Sequence, residues 1–222
     1  YLAVIDAMYD APAIDVVTTR HEGGASFMAV ADAKMTGKPG IVMVSRGPGA
    51  TNAAIGIHVA EQDAVPVVMF VGQVAREDLG RNAFQEMDYT KTFGDMAKWI
   101  VEITEADKVA ENVRRAFTIA QSGIPGPVIV SLPEDMLLDQ TDAPALGPTV
   151  ISQPKPDSGD IAEICDMLVQ AKRPLIIAGG QVGGQAGREA LRAVSDAWNV
   201  PVATSWRHQD LFDVDHPNFS CH

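Results

Sequence analysis

The sequence predicts an α/β protein with a doubly wound, mostly parallel sheet, followed by an incomplete second α/β domain. Three observations predict it. Short β-branched runs alternate with stretches of helical periodicity along the whole chain. Several of the runs are apolar almost throughout, as strands covered on both faces are. Glycine turns stand where a run gives way to a helical stretch.

The elements follow in order. Residues 1–9 read as an amphipathic helix closed by Asp10-Ala11-Pro12. Residues 14–19 (IDVVTT) read as a strand, and residues 26–35 as a helix stopped by Gly37-Lys38-Pro39. Residues 40–45 (GIVMVS) form a second strand, Arg46-Gly47-Pro48-Gly49 its turn, and residues 50–61 a helix. Buried strands are expected at 65–71, 99–103 and 127–132. Between the last two, Val109, Val113, Ala116, Phe117 and Ala120 make one apolar stripe of a helix over 107–122, with Gly123 behind it. Residues 133–156 carry Pro133, Pro144, Pro148, Pro154 and Pro156 with little periodicity and read as interdomain chain. A second unit follows: helix 159–171, strand 174–178, the turn Gly179-Gly180, helix 185–198 and strand 200–205. These elements are too few to cover both faces of a parallel sheet, and residue 1 falls inside a helix, so both ends read as cut.

Composition narrows the function. The chain has 222 residues, 46% hydrophobic, with a net charge of −12. That charge disfavours nucleic-acid and anionic-membrane partners, which it would repel. Cys165 and Cys221 lie far apart and outside any CxxC pattern, which argues against a disulfide scaffold or zinc site and for a reducing, cytoplasmic setting. The apolar run 64–72 is about half the length of a membrane-spanning helix. No secretory signal is visible at the N-terminus. His208, His216, His222 and Cys221 match no zinc spacing, so no metal site is assigned.

Three runs carry possible chemistry. In Arg20-His21-Glu22-Gly23-Gly24-Ala25, Glu22 is expected at the carboxyl end of a strand, the edge where open α/β sheets bind ligands. Taken alone it reads rather as a first-turn acid facing the helix dipole than as a ligand-binding group. Ser45-Arg46-Gly47-Pro48-Gly49-Ala50-Thr51-Asn52 points backbone N–H groups beyond the sheet edge, yet it is neither a GxxxxGK(S/T) loop nor a GxGxxG turn. Val71-Gly72-Gln73-Val74, followed by Asn82-Ala83-Phe84-Gln85-Glu86, offers an aromatic wall and an amide.

Taken in order, RHEGGA, GPGATN, VPVVMFVGQV and AFQE resemble the N-terminal, pyrimidine-binding domain of thiamine diphosphate-dependent enzymes, and of these the acetolactate synthase (acetohydroxyacid synthase) group. On this resemblance residues 1–145 are the pyrimidine-binding domain with its first strand missing, 146–157 a linker, and 158–222 a partial central domain. The resemblance implies decarboxylation of a 2-keto acid such as pyruvate and ligation of the product to a second carbonyl. Glu22 would be the catalytic acid that hydrogen-bonds N1′ of the cofactor pyrimidine, in surroundings that raise its pKa. Pro48 and Asn52 would contact the pyrimidine, and Phe84, Gln85 and Lys155 would face the substrate. The family holds the diphosphate through Mg²⁺ on a C-terminal domain with a GDG…N motif. No Gly-Asp-Gly occurs in these residues, so the chain alone is expected to be inactive. Arg46 stands where the family has a small residue, and Ala145 where FAD-binding members have Arg, which argues against FAD. A homodimer or homotetramer is implied for the full-length enzyme. Another thiamine diphosphate-dependent decarboxylase, lyase or acetyltransferase stays open, as do a nucleotide-binding α/β module and a non-catalytic assembly piece.

Overall fold

The computed structural model describes residues 2–152 and 154–221. Tyr1 of the first expected helix, Gln153 of the expected linker and His222 of the histidine group lie outside the described residues. The chain divides into two compact units, Tyr1–Ile151 and Ser152–His222.

In the first unit the elements are α1 (Leu2–Tyr9), α2 (Glu22–Thr36), β1 (Gly40–Val44), α3 (Pro48–Gln62), β2 (Val67–Gln73), α4 (Tyr89–Phe93), β3 (Trp99–Glu102), α5 (Val109–Gln121) and β4 (Pro127–Pro133). The strands form a four-stranded sheet of order β1-β2-β4-β3, every pair parallel. Register places Val44 beside Val71, Val71 beside Ser131, and Ser131 beside Glu102, so one row of residues marks the carboxyl edge.

Both faces of the sheet are covered, which is what doubly wound means physically. Val67, Met69, Val71 and Ile129 pack with Ala29, Val30, Ala53 and Ile57 of α2 and α3. On the opposite face Val68, Val128, Val130 and Leu132 pack with Ala116 and Ala120 of α5. The alternation along β2 and β4 is the period of two that a pleated strand imposes. It explains why these strands read as unbroken apolar runs.

Helix ends follow local chemistry. Gly37 closes α2 in the left-handed region (φ 69°), returning its N–H to Ala33 O at 2.9 Å. Pro48 opens α3 at its first position, where a missing N–H costs nothing.

Two expectations are corrected. Residues 14–19 form no strand and pair with none among the described residues, and Val16 and Val17 are exposed. A β-branched run becomes a strand only when a neighbour takes up its backbone groups, and none does here. The following helix begins at Glu22 rather than at residue 26, so the acid lies inside a helix and not at the end of a strand. The short α4 is a further element that sequence periodicity does not announce.

The second unit holds α6 (Ser158–Gln170), β5 (Ile176–Ala178), α7 (Gln185–Trp198), β6 (Val202–Thr204) and β7 (Phe219–Cys221). Its three-stranded sheet, order β5-β6-β7, is also parallel. Leu191, Val202, Leu211 and Phe212 make its core, whereas α6 has no buried residue. Strand β7 is three residues long, too short to signal itself by alternation.

Candidate functional site

The site grows from the way α2 and α3 start. His21 caps α2: its Nδ1 accepts the Gly23 N–H at 3.0 Å, which fixes that ring nitrogen as an acceptor. Glu22 follows in the first turn, half-buried. Asn52, in the second turn of α3, donates its Nδ2 to Glu22 Oε2 at 3.1 Å. Residues separated by 30 positions thus meet because the two helices lie against one another.

Small residues permit that approach. A Cβ on Gly56 would lie 2.3 Å from Ser26 Oγ and 2.8 Å from the Ser26 carbonyl carbon, so α3 presses directly on α2. A Cβ on Gly49 would lie 3.4 Å from Glu22 Oε1, which places the free carboxylate oxygen over the first turn of α3. A helix N-terminus beneath a carboxylate favours its charge.

The expected rise in the Glu22 pKa is not found. The carboxyl is held below its ordinary value, first by a hydrogen bond with its own backbone N–H and then by the Asn52 amide; partial burial opposes them, and the His21 ring adds to the lowering. Two donors outweigh a desolvation that is slight at a half-exposed position.

The second side of the site is the loop before α4. Gly47 turns the chain with φ 56°, and a Cβ there would lie 3.0 Å from both Cβ and O of Gln85. Gln85, itself at φ 63°, therefore rests on the glycine turn that leads into Pro48. Phe84 beside it is 80% exposed. The structure thus brings Glu22 to Asn52 and Gln85 to the turn carrying Pro48. Lys155 belongs to the second unit, where it is exposed.

Several contacts have no counterpart in the motifs. The buried Tyr89 hydroxyl accepts the Gly47 N–H at 3.4 Å and donates to Gly72 O at 2.8 Å, tying the glycine turn to the end of β2. Burial pushes this phenol up to about 12, so it stays protonated as a donor. Gln73, 2% exposed, donates to Met87 O at 2.9 Å and to Glu102 Oε2 at 3.0 Å, and Ser131 Oγ donates to the same carboxylate oxygen at 3.1 Å. A Gln ending an apolar strand is the one signal of this network in the sequence. Arg46 pairs with Glu134 at 2.6 Å while its Nε is buried without a partner. His216, from the weighed histidine group, turns to Asp196 at 3.0 Å. Among the described residues no group of three or more His, Cys, Asp or Glu could hold a metal ion.

A parallel sheet that gathers a carboxylate, an amide and a glycine turn at its carboxyl edge defines an α/β ligand-binding protein. Comparison with known proteins gives the class its family. Residues 1–92 match the family described as thiamine pyrophosphate enzyme, N-terminal TPP binding domain, and residues 161–221 match thiamine pyrophosphate enzyme, central domain. The chain belongs to the thiamine pyrophosphate (thiamine diphosphate) enzymes. It is 37% identical to the mitochondrial acetolactate synthase catalytic subunit of Aspergillus candidus, across 96% of this chain and 33% of that protein. It is 34% identical to the acetolactate synthase isozyme 3 large subunit of Escherichia coli K12 (97% and 38%) and 35% identical to the acetolactate synthase large subunit of Lactococcus lactis (97% and 38%). The chain spans between 33% and 38% of the length of these curated relatives. No helix among the described residues is long and apolar enough to cross a membrane.

Proposed function

We propose that the full-length protein is a thiamine diphosphate-dependent acetolactate synthase, which decarboxylates a 2-keto acid such as pyruvate and ligates the product to a second carbonyl. The observation that carries this reading is the Glu22–Asn52 contact at the sheet edge, in a chain whose relatives bear that enzyme name.

The residues present suit a pyrimidine ring. Glu22 Oε1 and Ser45 Oγ lie 3.4 Å and 2.4 Å from where a Gly49 Cβ would stand, so the missing side chain lets a carboxylate and a hydroxyl share the head of α3, polar groups a flat heterocycle can bond. Glu22 would hold a proton against N1′ of that ring, and Asn52 would keep the carboxylate oriented. Pro48, exposed at the head of α3, would form part of the ring's wall. When bound, thiamine diphosphate supplies the thiazolium carbon that attacks the keto carbon and takes up the electrons left by carbon dioxide. On the substrate side Phe84 would offer an apolar face and Gln85 an amide. Lys155 is proposed as a further substrate-side residue on the sequence resemblance alone.

The diphosphate and its Mg²⁺ would be held by a domain outside these residues, and pairing of subunits as a homodimer or homotetramer would complete the site. The domain division is proposed as 1–145 for pyrimidine binding, 146–157 as linker and 158–222 as part of the central domain. Free Cys165 and Cys221 support a reducing compartment such as the cytoplasm.

Glu22→Gln in the full-length enzyme tests the reading. Exchange of the thiazolium C2 proton, followed by NMR, should slow by about 10²- to 10⁴-fold, the range of general acid–base catalysis, with an unchanged circular dichroism spectrum. Exchange at the wild-type rate would overturn the role of Glu22.

A further inference from the structure

The AFQE motif ends in an acid to which the proposed function gives no role. Glu86 accepts the Gly80 N–H at 2.5 Å with Oε1 and the Ala83 N–H at 2.9 Å with Oε2. From the limb after Phe84 and Gln85, one carboxylate thereby reaches back to two N–H groups on the limb before them. The loop needs such a fastening. Gly80, Asn82 and Gln85 all lie at positive φ (76°, 57° and 63°), conformations that the two side-chain-bearing residues adopt at a cost. Its stems line one wall of an open cleft of about 440 Å³, with Leu79, Gly80, Glu86, Tyr89 and Glu102 among the lining residues.

The loop's stems are tied down by other residues. Arg76 binds Asp135 on the near side at 2.7 Å. On the far side Met87 O accepts from Gln73, and Tyr89 bridges Gly47 and Gly72. Between these stems the carboxylate of Glu86 draws the backbone inward. Its surroundings suit an ionised staple, because the Gly80 N–H, then the Ala83 N–H, hold the carboxyl below the usual range, with smaller help from the N–H groups of Asn82 and Arg81. Gln85, one residue away, is thereby set against Gly47, where closest approach is already 3.0 Å from the position of a Cβ.

We propose that Glu86 is a positioning residue that fixes the 79–86 loop and so presents Gln85 and Phe84 to the substrate. The inference rests on the substrate-side reading of Gln85, and its test separates the two. The full-length enzyme is compared with its Glu86→Ala, Glu86→Gln and Gln85→Ala variants in three measurements. These are trypsin cleavage after the exposed Arg81, located by mass spectrometry; KM and kcat for pyruvate; and the Kd of thiamine diphosphate with Mg²⁺.

In Glu86→Ala, cleavage after Arg81 should accelerate about tenfold and kcat/KM fall about tenfold, mostly through KM. The cofactor Kd should stay within about twofold, because Glu22 and Asn52 are held by helices and not by this loop. Glu86→Gln keeps one acceptor oxygen and should fall between wild type and Glu86→Ala in both readouts. If Glu86→Ala fails to fold, Glu86→Gln carries the same test. Unchanged cleavage overturns the inference. So does faster cleavage with unchanged kinetics while Gln85→Ala is impaired. Wild-type kinetics in Gln85→Ala would overturn the reading of Gln85 itself, whatever Glu86 does to the loop.

Discussion

Glu22 and Asn52 stand on helices that the core holds, whereas Phe84 and Gln85 stand on a loop that holds itself. Beneath the first pair, Ser26, Ala53 and Ile57 are fully buried, and α3 meets α2 where Gly56 takes the Ser26 side chain against its bare backbone. Around the second pair, Arg81, Asn82, Phe84 and Gln85 are exposed, and the backbone is kept in shape by the Glu86 carboxylate and by glycine and left-handed turns. Two ways of placing a functional side chain follow. Packing fixes position through volume and fails when atoms are added; a polar staple fixes it through charge and weakens with each acceptor lost. On the proposed function, an acid that meets a single ring nitrogen would suit the first, and contacts that admit and release substrate would suit the second.

The comparison is most easily broken where the helices touch. Gly56→Ala would set a methyl group 2.5 Å from Ser26 Cβ and 2.8 Å from a backbone carbon, neither of which can swing away. Overpacking of this kind costs about 1–3 kcal/mol and should lower Tm by about 2–4 °C for each kcal/mol in a protein of this size. Turnover should fall as well, since Glu22 and Asn52 are carried apart. Thermal melting by circular dichroism checks the first outcome; an unchanged Tm would mean that α2 and α3 are not pressed together.

A smaller effect is expected from Asn52→Ala, which removes one donor from Glu22 and leaves the packing alone. The Glu22 carboxyl lies below its ordinary value in the folded chain. Its charge therefore contributes stability above the ordinary carboxylate range, and that contribution is lost as pH falls through the lowered folded value. Without the amide the folded value rises, although the Glu22 backbone N–H, the larger cause, still holds it down, so the loss begins at a higher pH. NMR titration of the Glu22 side chain reads the shift directly. Turnover should drop about tenfold, as for a catalytic group left slightly misoriented. A Glu22 titration unmoved by the substitution would show that the 3.1 Å contact is not made in solution.

The unequal legibility of the two regions has the same physical origin. Apolar runs such as residues 67–71 declare themselves because both faces of a strand are buried, and the Gly47-Pro48-Gly49 turn because its residue types suit few conformations. The sequence pattern misleads at residues 14–19, where β-branching is present but a partner strand is not. It also puts Glu22 at a strand end, since two glycines after it mask a helix start that His21 in fact caps. Contacts between distant residues leave no local trace: Asn52 reaching Glu22, or Tyr89 linking Gly47 to Gly72, exists only once α2, α3 and β2 are assembled. Glu86 is in plain view within AFQE, yet its role depends on loop backbone geometry that side-chain chemistry alone does not reveal.

The smallest effect on stability sharpens the contrast. Phe84 is 80% exposed and fastens nothing in the loop. Phe84→Ala should therefore change stability by no more than about 0.5 kcal/mol, the ordinary range for a surface substitution, and should leave trypsin cleavage after Arg81 at the wild-type rate. If Phe84 has the proposed substrate-side role, the KM for pyruvate should nonetheless rise, because removing an aromatic face takes binding with it. Phe84→Ala and Glu86→Ala would then share a kinetic defect while differing in loop protection, which separates a residue that touches substrate from one that holds the loop in place. A Phe84→Ala enzyme that is cleaved as fast as Glu86→Ala would mean that the loop is held by apolar contact, and the division between packed and stapled regions would not stand.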